Sequence, residues 1–402
     1  MTSCCTEDKD PPRQSNCVCP ETPAAGLKPD FPILGHDAVP CCGGQSPEPG
    51  SPPEKPGYRL WGFVAEFVQT PTGIIPRVRT QMNRDDRLGT VCARLGIGRD
   101  SYRIAPGLYG VGLPDKGSPV MVTANYKLTF DSLRGSLGGI DAWILVLDTR
   151  SINVWCAAGK GTFSTGEVAE RVNAVALGKV VTHRRLILPQ LAATGVSARQ
   201  VKRLCGFEVV WGPVHARHIK AFLDGGMQAT PAMRKVTFTL RERVELIPVE
   251  LNHMGKPTLY LLPALFLLSG LGLDIFSISA ATSRGVSAML AYILAVVGGA
   301  VLAPIFLPWL PGRAFALKGA VLGAAAGALL SAGFAERLAL LEMLALTLFI
   351  MAVSSYLAMN FTGSTPFTSP TGVEKEMRRA IPAQAVGALA AIILWVGAGF
   401  MK

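Results

Sequence analysis

Beyond Pro248 the chain carries long apolar stretches: Thr258 to Ser279, Val286 to Leu310, Leu317 to Phe334, Leu338 to Met359 and Ile381 to Met401. Each is long enough to cross a hydrocarbon core of about 30 Å as a helix. A chain with such a block cannot fold as one soluble domain. Five spans place the two ends of the block on opposite sides of a bilayer. Arg234, Lys235, Arg241, Arg243 and Lys256 precede the first span. Arg313 and Lys318 fall between the second and third, and Lys375, Arg378 and Arg379 between the fourth and fifth; the other linkers offer Arg284 and Arg337. The positive-inside bias therefore predicts a multi-pass protein of the cytoplasmic membrane, with everything before the block in the cytoplasm and the C-terminus outside. The net charge of +11 fits the same reading. The basic residues are scattered and no nucleic-acid motif appears, so nucleic acid is not expected as a partner.

Within the third stretch Gly319, Gly323 and Gly327 recur every four residues, with Ser331 and Ala335 in phase. Such a smooth stripe predicts close helix packing, within the chain in preference to between copies. Asp274 and Glu342 are acids inside or at the edge of spans, and intramembrane acids can mark ion paths. Two isolated acids, with no repeat relating the spans, make a thin case for a transporter.

Residues 1–57 are rich in Pro, Gly, Ser and charge, lack the apolar run of a signal peptide, and are expected to be disordered. They carry Cys4-Cys5, Cys17-x-Cys19 and Cys41-Cys42, a pattern unlike an extracellular disulfide framework. These thiols could hold a soft metal ion or simply be free on a tail. From Tyr58 the composition becomes globular, and Tyr58 to Val64, with Trp61, is expected to pack on the domain that follows.

Short apolar runs then alternate with helical spacing. Strands are predicted at Val120 to Thr123, Ala142 to Leu147, Arg185 to Leu188, Glu208 to Trp211 and Val236 to Thr239; helices at Tyr126 to Leu137, Thr165 to Leu177, Ser197 to Leu204 and Ala216 to Leu223. That alternation implies an α/β Rossmann-like domain over 58–248, with a parallel sheet covered on both faces, ahead of an all-α membrane domain over 249–402. Its binding edge gathers the residues just past each strand: Thr123 and Asn125, Asp148 and Thr149, Gln190, and Gly212 with Pro213. Each alone is equally well explained as turn chemistry.

Between the second predicted strand and the following helix lies Asn153-Val154-Trp155-Cys156-Ala157-Ala158-Gly159-Lys160-Gly161. The position is where open α/β sheets bind ligands. Gly159 and Gly161 permit close backbone approach to a bulky group. A cysteine near a helix N-terminus and a lysine is disposed to be a thiolate, hence a nucleophile or metal ligand, against the alternative of a small buried hydrophobe. Cys92 and Cys205 keep that alternative. His215 and His218 have metal-ligand spacing but suit a solvated helix start, and His183-Arg184-Arg185 suits either an anionic cofactor tail or a polar strand entry.

The octet is not a Walker loop, and the chain lacks the Asp-x-His-x-x-Gly signature of cobalamin proteins that supply a histidine to cobalt. Asn153 to Lys160 and their context closely resemble the HgcA family, the membrane corrinoid proteins of mercury methylation, whose soluble domain is related to the large subunit of the corrinoid iron-sulfur protein of acetyl-CoA metabolism. The resemblance covers the Rossmann-like domain, the Trp61 region and the membrane block. It implies a cobalt corrinoid of cobalamin type, seated on a cap helix from which Cys156 gives its sulfur to cobalt as lower axial ligand. Asn153, Val154, Trp155, Ala157, Ala158, Gly159 and Lys160 would shape the cap, with the displaced benzimidazole base in the Rossmann-like pocket near Thr123, Asp148, Gln190 and Gly212. The implied activity is a methyltransferase, moving a methyl group from the corrinoid to inorganic mercuric ion. The four-cysteine cluster motif of the iron-sulfur relative has no equivalent here. Electrons are therefore expected from a small ferredoxin-type partner, HgcB, and the methyl group from a folate-type donor directly or through a protein. An alternative keeps the corrinoid but makes the chain a methyl carrier in one-carbon metabolism; a third reading is a membrane transporter or metal-binding protein.

Overall fold

The structure, a computed structural model, describes residues 62–364 and 370–401. The tail cysteines and the Tyr58–Trp61 stretch lie outside the described residues.

The first half builds one seven-stranded sheet in the order β1-β2-β3-β5-β4-β6-β7. Its strands are β1 (Val64–Thr70), β2 (Gly73–Val78), β3 (Gly107–Val111), β4 (Val120–Ala124), β5 (Ala142–Leu147), β6 (Arg185–Pro189) and β7 (Glu208–Gly212). Strands β5, β4, β6 and β7 run parallel, as their apolar sequences predict. The expected all-parallel five-stranded sheet is nevertheless corrected in two ways. β3 joins antiparallel to β5 and carries the β1–β2 hairpin on its other side. Val236 to Thr239 is not a strand: Phe238 adopts a left-handed φ of 46° there, which breaks extended geometry.

Helices α1 (Arg84–Arg94), α2 (Lys127–Gly135), α3 (Val154–Gly159), α4 (Thr165–Ala174), α5 (Leu177–Val180), α6 (Ala198–Cys205) and α7 (Ile219–Asp224) accompany the sheet. One apolar core, including Leu145, Leu147, Val168, Val172 and Leu188, lies on one face; another, with Phe63, Phe130, Ile144 and Phe222, lies on the other. Beside the second core sits a buried charge quartet. Lys127 Nζ is 2.7 Å from Asp86 and 2.6 Å from Asp131, while Arg134 reaches both acids at 2.7 Å. Arg134 also donates to the Arg79 carbonyl at 2.6 Å, so the quartet fastens α1 and the end of the hairpin to α2. Burial pushes the Asp86 carboxyl up, but the bonds and charges of Lys127 and Arg134 outweigh it and hold the group below its ordinary value.

Two short helices, α8 (Leu240–Val244) and α9 (Ile247–His253), lead into the apolar block. There α10 (Gly255–Ser269) and a small hairpin of β8 (Leu271–Gly272) and β9 (Ile275–Phe276) precede a continuous helical run of α11 (Ile278–Val296), a π turn and α12 (Ala303–Phe306). Then come α13 (Phe315–Gly333), α14 (Leu340–Asn360) and α15 (Pro370–Gly399). Four helices among the described residues are long and apolar enough to cross a membrane, not five. The first expected span stops at Gly270, leaving 15 residues in α10. At 1.5 Å per residue that helix is roughly 22 Å long, short of a hydrocarbon core.

Gly319, Gly323 and Gly327 face α14 within the chain. A Cβ on them would stand 2.4 Å from the Ser354 carbonyl, 2.7 Å from Met351 Cα and 2.8 Å from Thr347 Cγ2, respectively. Glu342 is paired, not isolated: Arg284 Nε lies 2.8 Å away, with both side chains buried. Arg284 also donates to the carbonyls of Ser269 and Trp395 and lies over the Trp395 ring, tying four helices together at one end of the bundle. Asp274 is exposed in the hairpin turn. Of the two expected intramembrane acids, one is thus exposed in a turn and the other belongs to a buried ion pair that holds helices together.

Candidate functional site

In the parallel block, the chain passes from β4 to β5 on one side and then to β6 on the other. The strand order reverses between β4 and β6, and open α/β sheets bind ligands outside the carboxyl ends of strands at such a point. Here the two strands share a single register pair, Met121 opposite Ile187, and diverge beyond it. A cavity of about 450 Å³ opens there. Its walls include Thr123, Tyr126, Pro189, Leu191, Gly212 and Pro213, with Asn153, Val154 and Trp155 on the α3 side.

Helix α3 has six residues, too few to persist alone. Three features hold it. Asn153 caps it, its Oδ1 accepting the Cys156 amide at 2.9 Å. Ala157 and Ala158 are buried in the core beside Phe163, Leu188 and Ala192. The turn after β6 approaches so closely that a Cβ on Gly195 would meet the Phe163 carbonyl at 2.4 Å and Ala158 Cα at 2.9 Å. Gly161, at φ 77°, lets the chain leave the helix by a left-handed turn.

The loop before α3 is fixed by one buried amide. Asn125 Oδ1 accepts from Thr149 N, Thr149 Oγ1 and Ser151 N at 3.2, 3.0 and 3.1 Å, while its Nδ2 donates to Asp148 at 3.0 Å. These bonds sustain Arg150 and Ser151 in left-handed conformation, at φ 55° and 63°. Such strain costs on the order of 1–3 kcal/mol per residue and gathers at functional sites. The Asp148 amide in turn donates to Glu167 at 2.8 Å. Burial pushes the Glu167 carboxyl above its ordinary range, against the downward pull of that amide and of Arg171.

Thr123, Asn153, Val154, Trp155 and Gly212 therefore meet around one cavity. Asp148 stands behind it, in the loop network. Gln190 follows β6, and its Oε1 is buried with no hydrogen-bond partner, as is Ser151 Oγ. Cys156 is half-buried with a free thiol, one residue beyond Trp155 and outside the cavity lining. Ala157 and Ala158 support α3 from behind; Gly159 and Lys160 are exposed at its end. Periodicity contained no signal for Arg94, Arg99, Glu242, Glu245 and Leu246, which complete the cavity from elements distant in the chain.

Among the described residues no group of three or more His, Cys, Asp or Glu forms a metal site. His215 and His218 meet edge to face at 5.9 Å, and burial pushes the His215 imidazole down. His183 and Arg185 open β6 at the opposite edge of the sheet, where His183 Nε2 lies 2.9 Å from the Ser118 carbonyl; they do not reach this cavity. Cys205 donates to the Val201 carbonyl at 3.2 Å, and burial pushes its thiol up, the environment of a packing residue.

Residues 98–223, which contain most of this site, match the family model described as CO dehydrogenase/acetyl-CoA synthase delta subunit. The acetyl-CoA decarbonylase/synthase complex subunit gamma of Archaeoglobus fulgidus is 32% identical over 128 residues, 31% of this chain and 27% of that protein. Its Methanopyrus kandleri counterpart is 34% identical over 128 residues, with the same coverage of 31% and 27%. The corrinoid/iron-sulfur protein large subunit of Moorella thermoacetica is 33% identical over 122 residues, 30% of this chain and 27% of that protein. The chain thus spans about a quarter of the length of these curated relatives.

Proposed function

We propose that this chain is a membrane-anchored corrinoid methyltransferase whose acceptor is inorganic mercuric ion. The observation that carries the reading is the free thiol of Cys156 on a fixed helix at the switch point of a domain related to corrinoid proteins. The residues present fit such a cofactor. The cavity, about 450 Å³, lies within the range of small-ligand pockets and has room for a nucleotide-like tail, not for a whole corrinoid. Gln190 Oε1 and Ser151 Oγ are buried polar atoms without a partner in the two loops next to that cavity, although neither residue lines it. When bound, a cobalt corrinoid would supply an organometallic methyl group, with Cys156 as the residue that would hold the metal and sulfur donation as what would favour transfer to an electrophilic mercuric ion.

The chain's own residues divide the remaining work. Cys156 offers the sulfur, and Asn153 fixes the backbone that carries it. Trp155, Val154, Thr123 and Gly212 would enclose the tail, Gln190 stands between the wall residues Pro189 and Leu191, and Asp148 keeps the preceding loop in its strained form through Asn125. Ala157 and Ala158 seat the cap, while Gly159 and Lys160 form its exposed rim. A ferredoxin-type partner such as HgcB supplies electrons and a folate-type donor the methyl group. The basic linker residues Arg313, Lys375, Arg378 and Arg379 favour a cytoplasmic side for the helix ends that α8 meets, and so for the sheet domain.

The test is anaerobic expression of the full chain with a ferredoxin partner, followed by an absorption spectrum and a methylmercury assay. Wild-type protein should carry a cobalt-corrinoid spectrum and form methylmercury, and Cys156→Ala should abolish that product. Full activity in the variant would defeat the proposal. A second reading, a methyl carrier in one-carbon metabolism, is favoured by the relatives' membership of acetyl-CoA decarbonylase/synthase complexes. It predicts methyl exchange with a folate-type donor and no methylmercury from the wild-type holoprotein.

A further inference from the structure

Helices α8 and α9 join the sheet domain to the apolar bundle and are held from both sides. Towards the sheet, Arg94 pairs with Glu245 at 3.2 Å. A Cβ on Gly96 would lie 2.7 Å from Asn252 Nδ2, so the turn after α1 rests directly on α9. Burial pushes the Glu250 carboxyl up, against the downward pull of the His253 and Arg99 charges. Towards the bundle, Arg243 is 5% exposed and its Nη1 donates to the carbonyls of Pro304 and Ile305, both at 3.0 Å. Those carbonyls belong to the last turn of a helical run, where no intrahelical donor exists. Phe238 and Leu246 pack with Leu307, Phe315 and Phe361, which end or begin three different membrane helices. Phe238 accepts its left-handed backbone to put its ring 6.2 Å from that of Phe361.

Leu246 belongs to both assemblies. It plugs the ends of the membrane helices, and together with Glu242 and Glu245 it lines the switch-point cavity. We propose that α8 and α9 act as a strap through which the membrane bundle completes the cofactor site, with Arg243 as the positioning residue that holds the outer cavity wall against the nucleotide tail of a corrinoid. The membrane block is then part of the binding site as well as an anchor. This inference rests on the corrinoid reading but not on mercury as acceptor.

The full chain, in detergent or nanodiscs, is titrated anaerobically with cobalamin and with cobinamide, which lacks the nucleotide tail, and amide exchange over 240–253 is followed without ligand. Arg243→Met should speed exchange across the strap. If it leaves the wall closed in one molecule in ten, cobalamin affinity falls about tenfold, because apparent affinity scales with the competent fraction. Cobinamide binding should change little, and Arg243→Lys should restore part of the cobalamin affinity. Should Arg243→Met fail to fold, Phe238→Ala removes the other attachment while the Pro304 and Ile305 carbonyls keep their donor, and carries the same expectation. Faster exchange with unchanged cobalamin affinity overturns the inference, as does unchanged exchange in a folded variant. Failure of the wild-type chain to bind either corrinoid instead sinks the corrinoid reading itself.

Discussion

Gly195→Ala tests whether α3 is seated as described, without touching any residue of the motif. Gly195 has an ordinary backbone conformation, φ −109°, so an alanine meets no torsional objection. The objection is contact. The new methyl would stand 2.4 Å from the Phe163 carbonyl oxygen and 2.9 Å from both the Cα and the carbonyl oxygen of Ala158. All three are backbone atoms, so no side-chain rotation relieves them, and reaching an ordinary 3.4 Å requires α3 and its exit turn to move away by about 1 Å. Overpacking of this kind costs about 1–3 kcal/mol. If the displaced cap must return to its original place to engage cobalt, the cost appears as a roughly 5- to 150-fold loss of corrinoid affinity. The assay is anaerobic titration of the full chain, with the sulfur-to-cobalt absorption band as a second readout. Unchanged affinity and an unchanged band would refute the claim that the turn after β6 fixes the height of the cap.

Asn153→Ala removes the N-cap of α3 and should cost about 1 kcal/mol of local stability, seen as faster amide exchange at Cys156 and Ala157. Lys127→Met leaves Asp86 and Asp131 buried around one remaining cation, Arg134, and should destabilise the sheet domain by about 3–5 kcal/mol in denaturant titration. Because the folded Asp86 lies below its ordinary value, its ionised form contributes stability at pH values above the unfolded carboxylate range, and that contribution disappears as pH falls through the folded value; unfolding measured downward from pH 5 should show the loss, and Lys127→Met should diminish it. Gly323→Leu forces a side chain against Met351 Cα and the Ile350 carbonyl, so the α13–α14 contact should loosen and thermal unfolding in detergent should occur at lower temperature.

The parts of the fold visible in the sequence are those whose burial is local and uniform. Val120 to Ala124, Ala142 to Leu147 and Leu186 to Leu188 are covered on both faces, so each reads as a short apolar run. Strand β3 has the sequence Gly-Leu-Tyr-Gly-Val, and its glycines hide a central strand behind turn chemistry. The β1–β2 hairpin sits at the sheet edge and carries Pro76 within a strand. Val236 to Thr239 misleads in the other direction: β-prone residues are bent around Phe238 because the Phe361 ring and the helix ends beyond it reward that bend. The charge quartet is equally illegible, since Asp86 meets Lys127 and Arg134 only after α1 packs against α2. In the same way Glu242, Glu245 and Leu246 join the cavity from beyond the last strand, at positions that no strand-end rule selects.

Within the motif, adjacent residues belong to different halves of the site. Trp155 lines the cavity, whereas Cys156, one position later, does not. Moving the thiol into the cavity would mean rotating α3 about its axis. That would break the bond from the Cys156 amide to Asn153 and lift Ala157 and Ala158 out of a core in which they are 0% and 5% exposed. Each lost element costs on the order of 1 kcal/mol, and α3 is too short to supply them internally. The thiol therefore stays outside the cavity. A ligand that engages both must place a metal centre over α3 and extend a second group between β4 and β6. A compact metal ion would meet only the thiol and a simple nucleotide only the cavity; the corrinoid proposed above would be large enough to reach both.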